Sequence, residues 1–163
     1  MLKGKGISEG IGIGKALVLK KEEIKIEKSK IENIDLELKK LEVSLNSVVK
    51  ETQELINKSN NEQKQILEAY LMILQDETLI EKSKELIKNE NLNCVYAVEQ
   101  GMNEIITNFR NIPDEYISER ANDIQDIKNR IISKLLQIEE KDFSKIEPAT
   151  IIVTQELTTS DTA

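Results

Sequence analysis

Three stretches hold residue types that could do chemistry. The first, "SEGIGIGKA" (residues 8–16), alternates Gly10, Gly12 and Gly14 with isoleucines and closes on a lysine, as a phosphate-cradling loop can. Such a loop follows a strand and opens a helix. This one precedes the strand-like "KALVLK", and no Walker-type Gly-Lys-Ser/Thr occurs, so it reads as a glycine-rich turn or bulge between strands. The second is Cys94, the sole cysteine, which excludes an internal disulfide and any Cys-cluster metal site. Beside Val95 and Ala97 it reads as a buried bystander thiol. The third is "QELTTSDTA" (residues 155–163) after "TIIVT", a buried-looking strand followed by the Thr/Ser/Asp cluster that usually starts a helix.

What these stretches lack is histidine. None occurs among the 163 residues, which removes the imidazole base, the imidazole ligand and any phosphohistidine. Acid–base work falls to carboxylates, and no pair of them stands out. Read alone, the residues hold no catalytic group and no metal site.

The elements that would position any site are helical. Aromatics are only 3% of a chain that is 39% hydrophobic and 33% charged, a composition of long amphipathic helices rather than a β-sandwich. The net charge of −7 argues against nucleic-acid binding. Residues 1–30 are +4 and the rest −11, so the remainder would suit a basic partner or is simply a solvated acidic surface. No apolar run approaches a membrane span and no signal-peptide core is present, which makes the cytoplasm the expected compartment.

From about Lys30, Ile31, Ile34, Leu38, Leu41, Leu45, Val48, Thr52 and Leu55 step by threes and fours, predicting one long bundle helix. "NEQKQILEAYLMILQDETL" carries more apolar surface than one core face needs, with Met72 opposite the main arc of Ile66, Leu67, Tyr70, Leu71, Ile73 and Leu74. Two readings stand: the helix is central, or it offers a face to a partner. A break near Asp76 leads to a shorter helix packing Leu79, Ile80, Leu86 and Ile87. Asn93 is a candidate cap for a helix with a Val95–Phe109 stripe. After Pro113, a last helix buries Ile117, Ala121, Ile124, Ile127 or the stem of Lys128, Ile131 and Leu135. The expected architecture is mainly α: an antiparallel bundle (29–141) inserted into an incomplete α/β unit (1–28 and 142–163).

Four stretches, in order, resemble Enzyme I of the bacterial sugar phosphotransferase system. "SEGIGIGKA" resembles that family's Ser-Pro-Gly-Ile-Ala-x-Gly-Lys-Ala opening, and "LEAYLMILQDETL" its Met-Leu-x-Asp-x-x-Leu helix. "DEYISERANDIQDI" resembles Asp-Glu-Tyr-Leu-x-Glu-Arg-Ala-x-Asp, and "ELTTSDTA" resembles Leu-Thr-Pro-Ser-x-Thr-Ala. The resemblance covers the whole chain. It implies a transferase that takes a phosphoryl group from phosphoenolpyruvate onto a histidine and passes it to the phosphocarrier HPr. The family's active histidine follows the last motif, so these residues are expected to hold the HPr-docking part without the histidine, and to be inactive alone. Phosphoenolpyruvate and Mg²⁺ belong to the family's C-terminal half; no cofactor is expected in this chain.

The resemblance places the HPr-facing surface on Glu62, Gln65, Met72, Ile73, Asp76, Thr78 and Leu79, with Phe109, Tyr116, Ile117 and Arg120 from the later helices. Thr162 matches the threonine that holds the active imidazole. Departures are Glu9 and Thr159 in place of Pro, Gly12 in place of Ala, Tyr70 where some relatives have His, and Gln125 in place of a common Arg. The last two bear on which HPr is accepted. The insert resembles the sugar-system branch more than the nitrogen-linked branch or the pyruvate phosphate dikinases. The alternative is a helical interaction scaffold unrelated to phosphotransfer, for which the heptads alone would suffice.

Overall fold

Asn33 decides where the helical region begins. Its side chain accepts a hydrogen bond from the Leu36 N–H (3.0 Å), capping α1 (Ile34–Lys58) four residues later than the Lys30 start expected from periodicity. The structure is a computed structural model that describes residues 9–19, 24–138, 146–154 and 157–158. After α1 come α2 (Asn61–Leu74), α3 (Thr78–Glu90), α4 (Cys94–Arg110) and α5 (Glu115–Leu135). Two short strands, β1 (Lys15–Val18) and β2 (Thr150–Val153), lie toward the two ends of the sequence.

The ends of these helices are chemically specified. Asn60 and Gln63 form a reciprocal capping box at α2. The Asp114 side chain accepts from the Ile117 N–H (3.1 Å) at α5. Gln137, in the left-handed region at φ 55°, closes α5 in a Schellman arrangement: Ile138 donates to the Ser133 carbonyl and Gln137 to that of Lys134. Asn93 does precede α4, but its side chain makes no cap; it accepts from the Ser29 N–H (2.9 Å) instead. The capping acceptor is the buried Glu37 carboxylate of α1, 2.7 Å from the Cys94 N–H.

The chain divides into two compact units, one built on Ile24–Glu140 and a smaller one from Met1–Glu23 with Lys141–Leu157. In the helical unit, Leu41, Val48, Tyr70, Leu74, Ile87, Val98, Met102, Ile127 and Ile131 form one contiguous core. Each fully buried aliphatic contributes about 1.5–3 kcal/mol relative to exposure. The later part of α5 is covered on most sides, with Ala121, Ile124, Asp126, Ile127, Lys128, Arg130, Ile131 and Ile132 buried, while its first turns stay open at Tyr116 and Glu119; the central position weighed for α2 belongs to this later part of α5. Where α3 crosses α4, a Cβ on Gly101 would lie 2.6 Å from the Ser83 Oγ, so only glycine permits this approach.

In the smaller unit, β1 and β2 pair in parallel, Lys15 opposite Thr150 and Val18 opposite Val153. Gly14 is required here, because a Cβ would sit 2.0 Å from the Ala149 carbonyl oxygen. The β2 run expected to be buried is only partly so: Ile152 is half-buried, while Ile151 is 41% and Val153 47% exposed, and among the described residues the sheet has two strands.

Candidate functional site

The surplus apolar surface of α2 resolves into two faces. Leu67, Tyr70 and Leu74 are buried in the core. On the far side, Glu62, Gln65, Ile66, Ala69, Met72 and Ile73 fall within an arc of roughly 120° at 3.6 residues per turn. Met72 is 74% and Ile66 58% exposed, Glu62 and Gln65 are exposed, and Ala69 and Ile73 are half-buried. Two large apolar side chains in water on one turn-and-a-half of helix, with one carboxylate beside them, form a surface suited to binding.

The turn after α2 extends this face. Asp76 and Thr78 are both exposed, and Asp76 Oδ1 accepts from the Thr78 N–H (2.9 Å) and hydroxyl (2.7 Å). Those two donors hold the Asp76 carboxyl below its ordinary range, so it carries a firm negative charge at the start of α3, where the helix dipole also favours it. Leu79 departs from expectation. It is 4% exposed and sits in the core, where it anchors this turn and cannot face a partner directly.

The second group lies at the start of α5. Tyr116 is 66% exposed, and the Arg120 guanidinium lies 4.8 Å from its ring centroid while donating to its hydroxyl. Arg120 also pairs with Asp123 at 3.2 Å, which leaves its guanidinium pinned rather than roaming. Ile117 is half-buried, and Phe109, at the end of α4, is half-buried against the core. Thr162 lies outside the described residues.

Sequence reasoning placed Ile66 in an apolar arc that was either central or partly partner-facing, and did not name it among the site residues, although it lies near that arc's edge. It also missed a set of buried polar ties radiating from α5. Tyr70 donates to Asp126 at 3.0 Å, and Arg130 donates to Thr52 and Glu51, both at 3.1 Å. Lys128 reaches Asn103 (2.7 Å) and Glu99 (2.9 Å). Burial and the Asp126 charge push the Tyr70 hydroxyl far up, so it remains a neutral donor.

Little here can do covalent chemistry. Burial and the neighbouring Glu37 raise the Cys94 thiol to about 12, which leaves it protonated and inert. Among the described residues, no group of three His, Cys, Asp or Glu could hold a metal, and no helix is long and apolar enough to cross a membrane.

Residues 3–120 match the family described as PEP-utilising enzyme, N-terminal. The chain belongs to this family. Within it, the likeness is to the N-terminal region of Enzyme I. The phosphoenolpyruvate-protein phosphotransferase of Buchnera aphidicola subsp. Baizongia pistaciae is 37% identical over 169 residues, 100% of this chain and 29% of that protein. Its counterpart in Borreliella burgdorferi is 36% identical over 168 residues, 99% of this chain and 29% of that protein. The chain thus spans less than a third of the length of these curated relatives. A solution structure of an Enzyme I protein superposes with a TM-score of 0.80 and 34% identity, covering 95% of this chain and 65% of that one. The N-terminal domain of Enzyme 1 - Nitrogen shares the fold, with a TM-score of 0.70 at 18% identity over 93% of this chain and 63% of that one.

Proposed function

We propose that these residues dock the phosphocarrier HPr within a phosphoenolpyruvate-protein phosphotransferase, for His-to-His phosphoryl transfer. The observation that carries this reading is the exposed Ile66–Met72 face of α2, flanked by Glu62 and by Asp76. The docking surface comprises Glu62, Gln65, Met72, Ile73, Asp76 and Thr78, with Phe109, Tyr116, Ile117 and Arg120 completing it; Ile66 joins them and Leu79 supports from beneath. Apolar anchors supply most of the affinity in such an interface, while Glu62 and Asp76 steer a basic partner surface and fix its register. The sugar-system branch is the one favoured, since the nitrogen-type relative is the more distant of the two solved structures.

Docking and not phosphoryl carriage is the role assigned to these 163 residues, because they contain no histidine. Use of phosphoenolpyruvate and Mg²⁺ is proposed for the whole enzyme. The test is a titration of isotope-labelled chain with HPr, followed by backbone amide shifts. Saturable changes clustered on residues 62–79 and 116–120 are expected. Changes confined to other helices, or none from a folded sample, would overturn the assignment.

A further inference from the structure

The proposed docking face rides on a helix whose grip on the bundle is mostly non-directional. On its buried side, α2 offers Leu67 and Leu74, and apolar contacts of this kind tolerate a small roll or slide at little cost. Among the described residues, the side-chain polar ties seen from α2 to another helix converge on the Tyr70 hydroxyl, which donates to Asp126 of α5 at 3.0 Å, both residues buried, and which also lies beside the Arg130 guanidinium of α5. The remaining side-chain bonds of α2 are local: Gln63 with Asn60 in the cap, and Lys64 with Glu68 along the surface.

Asp126 is itself on a fixed frame. One turn further along α5, Arg130 donates to Thr52 and Glu51 of α1, and Lys134 pairs with Glu51 at 2.8 Å. The α1–α5 pair is therefore polar-locked, and Tyr70 is the point at which α2 is referenced to it. A hydrogen bond is directional, so losing the Tyr70 hydroxyl removes the bond that orients α2 against Asp126. Met72 sits two residues beyond Tyr70, so the roll that Tyr70 sets also decides where Met72 points.

We infer that Tyr70 is a positioning residue: its hydroxyl, held by Asp126, fixes the roll of α2 and so the orientation of the Glu62–Ile73 face toward a partner. This rests on the docking reading above, but it makes a prediction of its own about helix orientation. Tyr70→Phe keeps the ring and removes the bond. Residual dipolar couplings of α2 amides, fitted to the α1–α5 frame, should then no longer match the wild-type orientation, and HPr affinity should fall ~fivefold or more. Lys128→Met breaks a different buried ion pair, between α5 and α4, and should leave α2 couplings and HPr affinity within about twofold of wild type.

Unchanged α2 couplings in a folded Tyr70→Phe variant would overturn the inference whether or not HPr binds. Equal loss of affinity in Lys128→Met would also overturn it, because general loosening would then be the cause. If the wild-type chain fails to bind HPr while the couplings shift as expected, it is the docking reading that falls and the positioning role that stands.

Discussion

Helices α2 and α5 lie in the same bundle and carry comparable apolar content, yet they spend it differently. Around α5, Ile124, Ile127, Ile131 and Ile132 are covered, and its inward-facing Asp126, Lys128 and Arg130 all have partners on other helices. On α2, Leu67, Tyr70 and Leu74 are covered, Ala69, Leu71 and Ile73 are half-buried, and Ile66 and Met72 stand in water. The later turns of α5 are covered on most sides, whereas α2 keeps exposed apolar side chains of the kind that mark interaction surfaces. The later turns of α5 and the open side of α2 should therefore answer differently to substitution, the first through folding and, on the proposed docking reading, the second through binding.

The largest effect expected is on α5. Ile131→Ala, at a fully buried position, should lower unfolding free energy by about 2–5 kcal/mol in a denaturant titration. A loss comparable to a surface change would break the contrast. Next comes the α3–α4 crossing, where Gly101→Ala must push the Ser83 backbone nitrogen from 2.8 Å, and about 1–3 kcal/mol should be lost in the same assay.

The smallest effect sharpens the contrast at the turn beyond α2. Asp76 has a folded-state pKa depressed by the Thr78 donors, so its contribution to starting α3 is present above the unfolded carboxyl pKa and fades as pH falls through the folded value. Followed by NMR, the Thr78 amide should shift with a midpoint below that of an unperturbed aspartate. A midpoint at the ordinary value would mean that the cap is not formed.

Periodicity made much of this legible. The threes-and-fours seam from Ile31 to Leu55 matches α1 except for Ile31, which precedes the Asn33 cap; Asp76 marked a real break, and the projection of Met72 away from its helix's main arc matches its exposure. Long-range pairing was not legible. Glu37 caps α4 from 57 positions away and Arg130 reaches Thr52 across 78, separations over which no local pattern operates. Lys128 illustrates the limit: periodicity allowed its stem a core position but could not show that its ammonium is buried with Glu99 and Asn103. Leu79 carried two expectations, core packing in α3 from periodicity and an HPr-facing place from the motif, and its burial agrees with the first. A motif match assigns a residue to a site, but only packing decides whether its side chain points outward or inward. The strand "TIIVT" was legible as a strand from its β-branched run, whereas its exposure follows from how few strands accompany it.

On the proposed docking reading the open face of α2 anchors HPr, and a calorimetric comparison checks this. HPr is titrated into the wild-type chain and into Met72→Ala, with thermal unfolding of each recorded alongside. The expected result is a loss of about tenfold or more in affinity with unfolding free energy unchanged to within about 0.5 kcal/mol, as for a hot-spot residue that contributes nothing to the core. A Met72→Ala chain that is equally stable and binds HPr as tightly as wild type would contradict the account.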